Sequence, residues 1–360
     1  MSQGNGTHPP IRVLVVDDSA FMRTALSRMI ASEAGFEVAG TASSGRDALA
    51  KIPALDPDVV TLDIEMPGLD GLQTLRAIME QSPRPVIMVS AASEKGAEIT
   101  FNALSAGAFD YIPKQLSSTS LDILHIRQEL LAKIRSAAQS RAPAGPLSRK
   151  PPQRASSDLR PADATAPAIV ALGTSTGGPK ALQEILPLFP VDLPVPILIV
   201  QHMPPGFTEP FARRLNSLSA ISVREAVRRE VIRPGVAYIA PAGSHMTVER
   251  QFDSSTVICL DPEPSNCLHI PSVDIMMQSV AKVFRNLAMG VILTGMGADG
   301  TEGMRAIFHA GGLTLGQEEA GCTVYGMPRA CAEAGVLTRV VPLLQIPAQI
   351  LQATRSRKHA

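Results

Sequence analysis

Residues 11–20 read IRVLVVDDSA. Apart from Arg12, the stretch from Ile11 to Val16 is apolar and mostly β-branched. A parallel strand has this composition, because helices cover both faces of a parallel sheet and leave neither face to water. The run stops at Asp17-Asp18. From Ser19 onward the spacing changes, and Phe21, Met22, Ala25, Leu26, Met29 and Ile30 recur at the period of a helix. A buried strand, an acidic turn and an amphipathic helix together make the repeating unit of an α/β domain.

The unit recurs along the N-terminal third. A strand is expected over 36–40, a helix over 46–52 and a third strand over 59–62 that ends at Asp63 in PDVVTLDIEMPGLDG. RPVIMVSA gives a fourth strand ending at Ser90, and GAFDYIPK gives a short fifth ending near Lys114. Strands alternating with helices imply a doubly wound parallel sheet, which presents its functional groups at the carboxyl ends of its strands. Asp17, Asp18, Asp63, Ser90 and Lys114 all fall there. A single aspartate at such a place often only caps a helix. Clustered carboxylates repel unless a cation joins them, and hard oxygen ligands favour Mg²⁺. A lysine and a hydroxyl beside them suit a phosphoryl group, whose charge needs clamping.

At 360 residues the chain is long for one core, and two domains are expected. Hydrophobic residues make up 45% and charged residues 18%, with formal net charge zero, a globular composition without the field that draws nucleic acid or an anionic membrane. The N-terminal stretch MSQGNGTHPP has no apolar signal core, and no run approaches a membrane span. Cys259, Cys267, Cys322 and Cys331 show no Cys-x-x-Cys spacing, so reduced thiols are expected rather than a zinc site. Residues 137–167, rich in Pro, Ala, Ser and Arg, cannot bury enough surface to offset their ordering entropy and read as a flexible linker. The expected division is a domain over 1–136, the linker over 137–167 and a second domain over 168–360.

After the linker, three apolar runs again end in polar segments: AIVAL before GTSTGG, ILIV before QHMPPGFT, and VILT before GMGADG. Helices are expected over 180–188, 207–215 and 273–284, so this too is an α/β domain with a parallel sheet. The residues at the strand ends are Ser175, His202 and Asp299. A serine needs a base to take its proton, and the base works best when a carboxylate fixes its tautomer. The six residues GTSTGG allow two readings on their own, a phosphate cradle or a nucleophile elbow of the Gly-x-Ser-x-Gly type. The segment has neither the Gly-Lys-Ser/Thr end of a P-loop nor the Gly-x-Gly-x-x-Gly spacing of a dinucleotide site. The order Ser, His, Asp differs from the Ser, Asp, His of α/β-hydrolases.

Asp17-Asp18, Asp63 followed by Met66-Pro67-Gly68, Ser90-Ala91 and Lys114 resemble the receiver domain of two-component response regulators. The resemblance implies a flavodoxin-like sheet in which Asp63 accepts phosphate from a histidine kinase. It also implies Mg²⁺ held by Asp18, Asp63 and the carbonyl of Glu65, with Asp17 in support, and a switch made of Ser90, Tyr111 and Lys114. The sequence departs from that family where Pro113 precedes Lys114 and Gln115 follows it.

The stretches GTSTGGP, VQHMPPGFT, YIAPAGSHM, PSVDIMMQSVA, ILTGMGADG and YGMPR resemble the chemotaxis protein-glutamate methylesterases, the CheB family. This implies a doubly wound α/β esterase in which Ser175 attacks the methyl ester of a receptor glutamate, His202 is the general base and Asp299 orients it. The amide of Met296 would help form the oxyanion hole, and Thr176 would support the histidine loop. The same site would deamidate glutamines, with no cofactor for the ester chemistry. The resemblance implies methyl-accepting chemoreceptors as substrates, a histidine kinase of the CheA type as phosphodonor, activation by phosphorylation and a cytoplasmic location. It implies neither nucleic-acid binding nor membrane insertion.

Among the remaining residues, Ser272 is expected to cap the helix after Pro271, with Asp274 in its first turn. Met276 and Met277 are expected in the core. His245 reads as either structural or functional, and His125, His269 and His309 as ordinary surface or packing residues. Two rival readings keep the receiver but make the second domain a non-catalytic binding module or a DNA-binding output. The second lacks a basic recognition helix.

Overall fold

The structure, a computed structural model, describes residues 9–91, 93–114, 120–140 and 166–354. The chain divides into two compact units, Met1–Arg149 and Lys150–Ala360.

The first unit is built on strands β1 (Ile11–Val16), β2 (Phe36–Ala42), β3 (Val59–Asp63), β4 (Val86–Ser90) and β5 (Asp110–Pro113), with helices α1 (Ala20–Ala31), α2 (Gly45–Leu55), α3 (Gly71–Gln81), α4 (Glu94–Ser105) and α5 (Ser120–Gln139). The sheet is parallel in the order β2-β1-β3-β4-β5. Val13 to Val16 have no exposed surface, as their apolar composition requires. Ser19 caps α1, and a reciprocal capping box of Asp70 and Gln73 starts α3. Helix α5 continues through Gln139 with Ala137 fully buried, so the first residues of the expected linker are helical. They are rich in alanine, the strongest helix former, and lie ahead of the first proline. Residues 141–165 of that stretch lie outside the described residues, as does the side chain of His125.

The second unit has β6 (Ile169–Thr174), β7 (Ile197–Gln201), β8 (Ser222–Glu225), β9 (Val236–Ile239), β10 (His245–Arg250), β11 (Thr256–Asp261), β12 (Ala288–Ile292), β13 (Leu313–Gln317) and β14 (Arg339–Val341). Its helices are α6 (Gly178–Ile185), α7 (Thr208–Leu218), α8 (Val273–Phe284), α9 (Thr301–His309), α10 (Met327–Glu333) and α11 (Ile346–Thr354). Seven strands form a parallel sheet in the order β14-β13-β12-β6-β7-β9-β8, and β10 and β11 make a separate antiparallel hairpin. Met276 and Met277 are fully buried on α8 and join the core. The four cysteines are free thiols. No helix among the described residues is long and apolar enough to cross a membrane.

Each sheet reverses its winding once. In the first the reversal lies between β1 and β3. In the second it lies between β6 and β12, because the chain runs outward from β6 through β7 and later returns to the other side of β6. Ligand crevices open at such reversals, beyond the carboxyl ends of the strands.

The connection from β6 to α6 is only three residues long, Ser175-Thr176-Gly177. Gly177 has φ +79°, a conformation that costs a non-glycine residue strain. At Gly178 a Cβ would come within 2.0 Å of Gln201 Oε1 and 2.4 Å of Thr174 Oγ1. Gly178→Ala is therefore expected to lower the stability of the second unit by about 1–3 kcal/mol through overpacking. Thermal unfolding against wild type measures this.

Candidate active site and receiver site

In the second unit, the three sequence-predicted residues follow three adjacent strands. Ser175 comes directly after β6, His202 directly after β7, and Asp299 in the loop that follows β12. The sharp turn at Gly177 follows Ser175, which is half-buried at the carboxyl end of β6. Its amide donates to the carbonyl of Thr294 (3.1 Å), which fastens the turn to the end of β12. The Gly295 backbone lies against it, since a Cβ there would stand 3.0 Å from Ser175 Cβ. Met296 is the next residue of that loop and is half-buried.

Two ties hold the histidine loop to the serine loop. The His202 amide donates to the Thr174 carbonyl (3.2 Å), and Gln201 Nε2 donates to the carbonyls of both Ser175 and His202 (3.0 Å each). These ties do not come from Thr176, whose carbonyl accepts from Thr294 Oγ1 (2.9 Å). Gln201 went unnoticed in the sequence because it stands inside the strand signal, beside the more conspicuous His202.

His202 Nε2 and Asp299 Oδ2 are 2.8 Å apart, with the two side chains 8% and 14% exposed. The carboxylate accepts three more bonds: from Ser272 Oγ (2.9 Å), the Val273 amide (2.8 Å) and the Asp274 amide (3.0 Å). Asp299 thus sits on the N-terminus of α8, where unsatisfied amides and the helix dipole favour an anion. Burial works to raise its pKa, but the hydrogen bond and charge of His202, with the amides of Asp274 and Val273, hold it well below the usual carboxylate range. Neighbouring Asp274 moves the other way, through burial first and then the charge of Asp299, against a 2.7 Å bond from the Gly303 amide. Ser272 does cap α8 by accepting from the Ile275 amide (3.4 Å), and the same hydroxyl serves Asp299.

An anionic Asp299 can only accept a hydrogen bond, so Nε2 carries the hydrogen and the lone pair of the imidazole is on Nδ1. Nδ1 is buried and has no hydrogen-bond partner. The arrangement offers a serine hydroxyl at the reversal of a parallel sheet and, at the end of the adjacent strand, an imidazole with its tautomer fixed and its accepting nitrogen unspent.

Of the other histidines, the contacts of one decide between the two readings left open, and those of another differ from expectation. His245 is buried and structural in its contacts: Nδ1 accepts from the Ser272 amide (3.1 Å) and Nε2 faces the Pro264 carbonyl (3.2 Å). His269, expected to be an ordinary surface or packing residue, stacks on His202 with ring centroids 4.0 Å apart and planes inclined by 20°. It reaches His202 from the loop between β11 and α8, a fold contact that no local spacing encodes. His309 is exposed on α9.

In the first unit, Asp17, Asp18 and Asp63 converge with ligand oxygens within 4.8 Å of one another. Lys114 Nζ lies 2.6 Å from Asp63 Oδ2 and 3.2 Å from Asp17 Oδ2. Glu65 follows, its amide donating to Asp63 Oδ1 (3.1 Å). One lysine against three carboxylates leaves an excess of negative charge, and the oxygen donor set fits Mg²⁺. Ser90 is buried, with Oγ 2.7 Å from Thr100 Oγ1 and 3.3 Å from the carbonyls of Ala91 and Gly96. Tyr111 is buried beneath Lys133, whose Nζ donates to the Tyr111 carbonyl (2.6 Å), lies 5.2 Å from its ring centroid and pairs with Asp110 and Glu129.

Asp63 is pushed up to about 6, by burial and the charge of Asp17, with Lys114 opposing. Between its ordinary value of 3.8 and about 6 the folded chain binds a proton that the unfolded chain has released. In Mg²⁺-free buffer, stability should therefore fall by about 1–3 kcal/mol as pH rises through that window. Asp63→Asn should flatten the slope. Mg²⁺ affinity, which needs the carboxylate, should rise over the same window. Urea unfolding and calorimetric Mg²⁺ titration at pH 5 and pH 7.5 measure the two effects.

Residues 170–350 match the family model of the CheB methylesterase, and residues 13–124 match that of the response regulator receiver domain. A protein-glutamate methylesterase/protein-glutamine glutaminase of Nitratidesulfovibrio vulgaris is 45% identical over 95% of this chain and 98% of its own length. Another, from Symbiobacterium thermophilum, is 46% identical over 96% of this chain and 97% of its own. The crystal structure of the Thermotoga maritima CheB methylesterase catalytic domain is 38% identical, with TM-score 0.51, and covers 52% of this chain and 99% of that one.

Proposed function

The chain belongs to the CheB methylesterase family, with a receiver domain ahead of the esterase, and is a protein-glutamate methylesterase and glutaminase of chemotaxis; we propose that Ser175, His202 and Asp299 carry out its hydrolysis and that phosphorylation of Asp63 raises its rate. The observation that carries this reading is the state of His202. Its Nε2 is engaged by Asp299, and its buried Nδ1 is unpartnered on a loop tied to that of Ser175.

In this reading His202 Nδ1 takes the proton of Ser175 Oγ as the oxygen attacks the ester carbonyl carbon of a methylated glutamate. Asp299 stabilises the imidazolium that forms. The amide of Met296, on the loop packed against Ser175, contributes to holding the oxyanion. On collapse of the tetrahedral intermediate the Nδ1 proton passes to the departing methoxide, giving methanol and an acyl-serine. Water then attacks the acyl carbon, Nδ1 takes its proton, and glutamate and the serine hydroxyl are released. A glutamine substrate follows the same course and releases ammonia. Thr176 acts indirectly, through its bond to Thr294 and hence the position of the serine turn. None of these steps requires a cofactor.

For the receiver, Asp63 is the nucleophile toward phosphorus, with Lys114 balancing charge. Asp18, Asp63 and the Glu65 carbonyl, supported by Asp17, would hold Mg²⁺, which supplies charge neutralisation at the phosphoryl oxygens. Ser90 and Tyr111 would change contacts on phosphorylation. The chemistry fits methyl-accepting chemoreceptors as substrates and a histidine kinase of the CheA type as phosphodonor, both met in the cytoplasm.

Methanol release from methylated receptor preparations tests both halves. Ser175→Ala and His202→Ala are each expected to lower kcat by about 10³-fold or more, and the double variant by little more than either, because the residues act as a unit. Near-normal turnover by Ser175→Ala would refute the assignment. A small phosphodonor with Mg²⁺ should label wild type and stimulate its turnover, and Asp63→Asn should abolish both effects. Labelling that survives in Asp63→Asn places the acceptor elsewhere.

A further inference from the structure

The proposed mechanism uses both nitrogens of His202 but not its ring face, and that face is occupied. His269 stacks on it at 4.0 Å between centroids and 20° between planes. This is close, nearly parallel contact between two small aromatic rings.

The loop that delivers His269 is fastened close to it on both sides. The Gly243 amide donates to the carbonyl of Ile270 (3.1 Å), the next residue. His245, buried beneath the loop, engages the Pro264 carbonyl and the Ser272 amide, 3.2 and 3.1 Å away. Since Nδ1 of His245 accepts from an amide, Nε2 carries the hydrogen and donates to Pro264. The far end of this loop is Ser272, whose hydroxyl donates to Asp299. The segment that seats His269 on one side of His202 therefore also anchors the carboxylate that holds His202 Nε2. The His202 ring is fixed in rotation by the carboxylate and in tilt by the stacked imidazole.

We propose that His269 is a positioning residue of the esterase, backing the ring of His202 and presenting an aromatic face to the imidazolium that forms when His202 takes the serine proton. The inference rests on the reading of Ser175, His202 and Asp299 as the hydrolytic triad. A cation forming against an aromatic face is stabilised relative to the neutral ring, so the contact is stronger in the transition state than in the resting enzyme. Its loss should fall on kcat rather than on KM.

The test compares His269→Ala and His269→Phe in the full-length enzyme, with Ser175→Ala run in the same methanol-release assay. His269→Ala should lower kcat by about tenfold or more with KM within about twofold, because it removes an interaction made mainly in the transition state. His269→Phe, which keeps an aromatic face but has no nitrogen, should restore kcat to within about threefold of wild type. In spectra of protein labelled with ¹⁵N at histidine, the His202 ring resonances should shift in His269→Ala.

A rise in KM alone would make His269 a substrate-binding group and overturn the proposal. A folded His269→Phe protein as slow as His269→Ala would show that the nitrogens matter and not the face, with the same consequence. An unchanged His202 resonance would remove the stack itself. If His269→Ala does not fold, the Phe variant alone decides. Turnover that survives Ser175→Ala would instead sink the triad reading, an outcome separate from any result at position 269.

Discussion

The carboxylate of Asp299 resting on the N-terminus of α8 organises the second unit's site. Four donors converge on it: a histidine ring, a serine hydroxyl and two main-chain amides. A buried anion with fewer partners would take up a proton, and a protonated carboxyl would cease to fix the tautomer of His202. Because two of the donors are helix amides, the anion is held by main chain that cannot move without unwinding α8. The neighbouring carboxyl of Asp274, pushed toward its protonated form, avoids a second full charge beside it.

The two units share a plan but apply it to different chemistry. Each places its reactive groups where a parallel sheet reverses its winding, so that loops from separate strands meet without long insertions. In the receiver the meeting groups are carboxylates balanced by Lys114, an oxygen donor set that fits a dication. In the esterase they are a hydroxyl, an imidazole and one carboxylate, the groups proposed above to move a proton. The difference lies in a few side chains at strand ends.

Much of this plan is legible in the sequence because buried parallel strands are written as apolar runs with abrupt polar ends. Strands β1, β3 and β4 and the strands before Ser175 and His202 are of this kind, and α8 from Val273 to Phe284 is legible through its helical period. Strands β8 and β14 are harder to see, since SVRE and RVV are short and partly exposed. The β10–β11 hairpin contributes no strand-end chemistry, yet it carries His245. What the sequence withholds about the site is long-range contact. Ser272 reads as a helix cap and is one, but the carboxylate it serves lies 27 residues further on. His269 has no local signal because its meaning comes from a ring in a distant loop, the one that follows β7. The helical start of the expected linker was obscured because alanine suits both a helix and a low-complexity segment.

The orientation of the His202 ring has a consequence for how tolerant the enzyme is of movement. Nδ1 is the ring nitrogen nearer the main chain, and it is the one left without a hydrogen-bond partner. A base that works through its near nitrogen has little reach, and swinging the side chain cannot make up for a displaced backbone. The separation of the two loops must then be fixed by the strands themselves. Gln201, clasping the carbonyls of Ser175 and His202 with a single amide nitrogen, acts as the spacer that sets this separation. The placement of that nitrogen relative to the serine turn is thereby tied to the register of two neighbouring strands, β6 and β7, and not to the freedom of a long side chain.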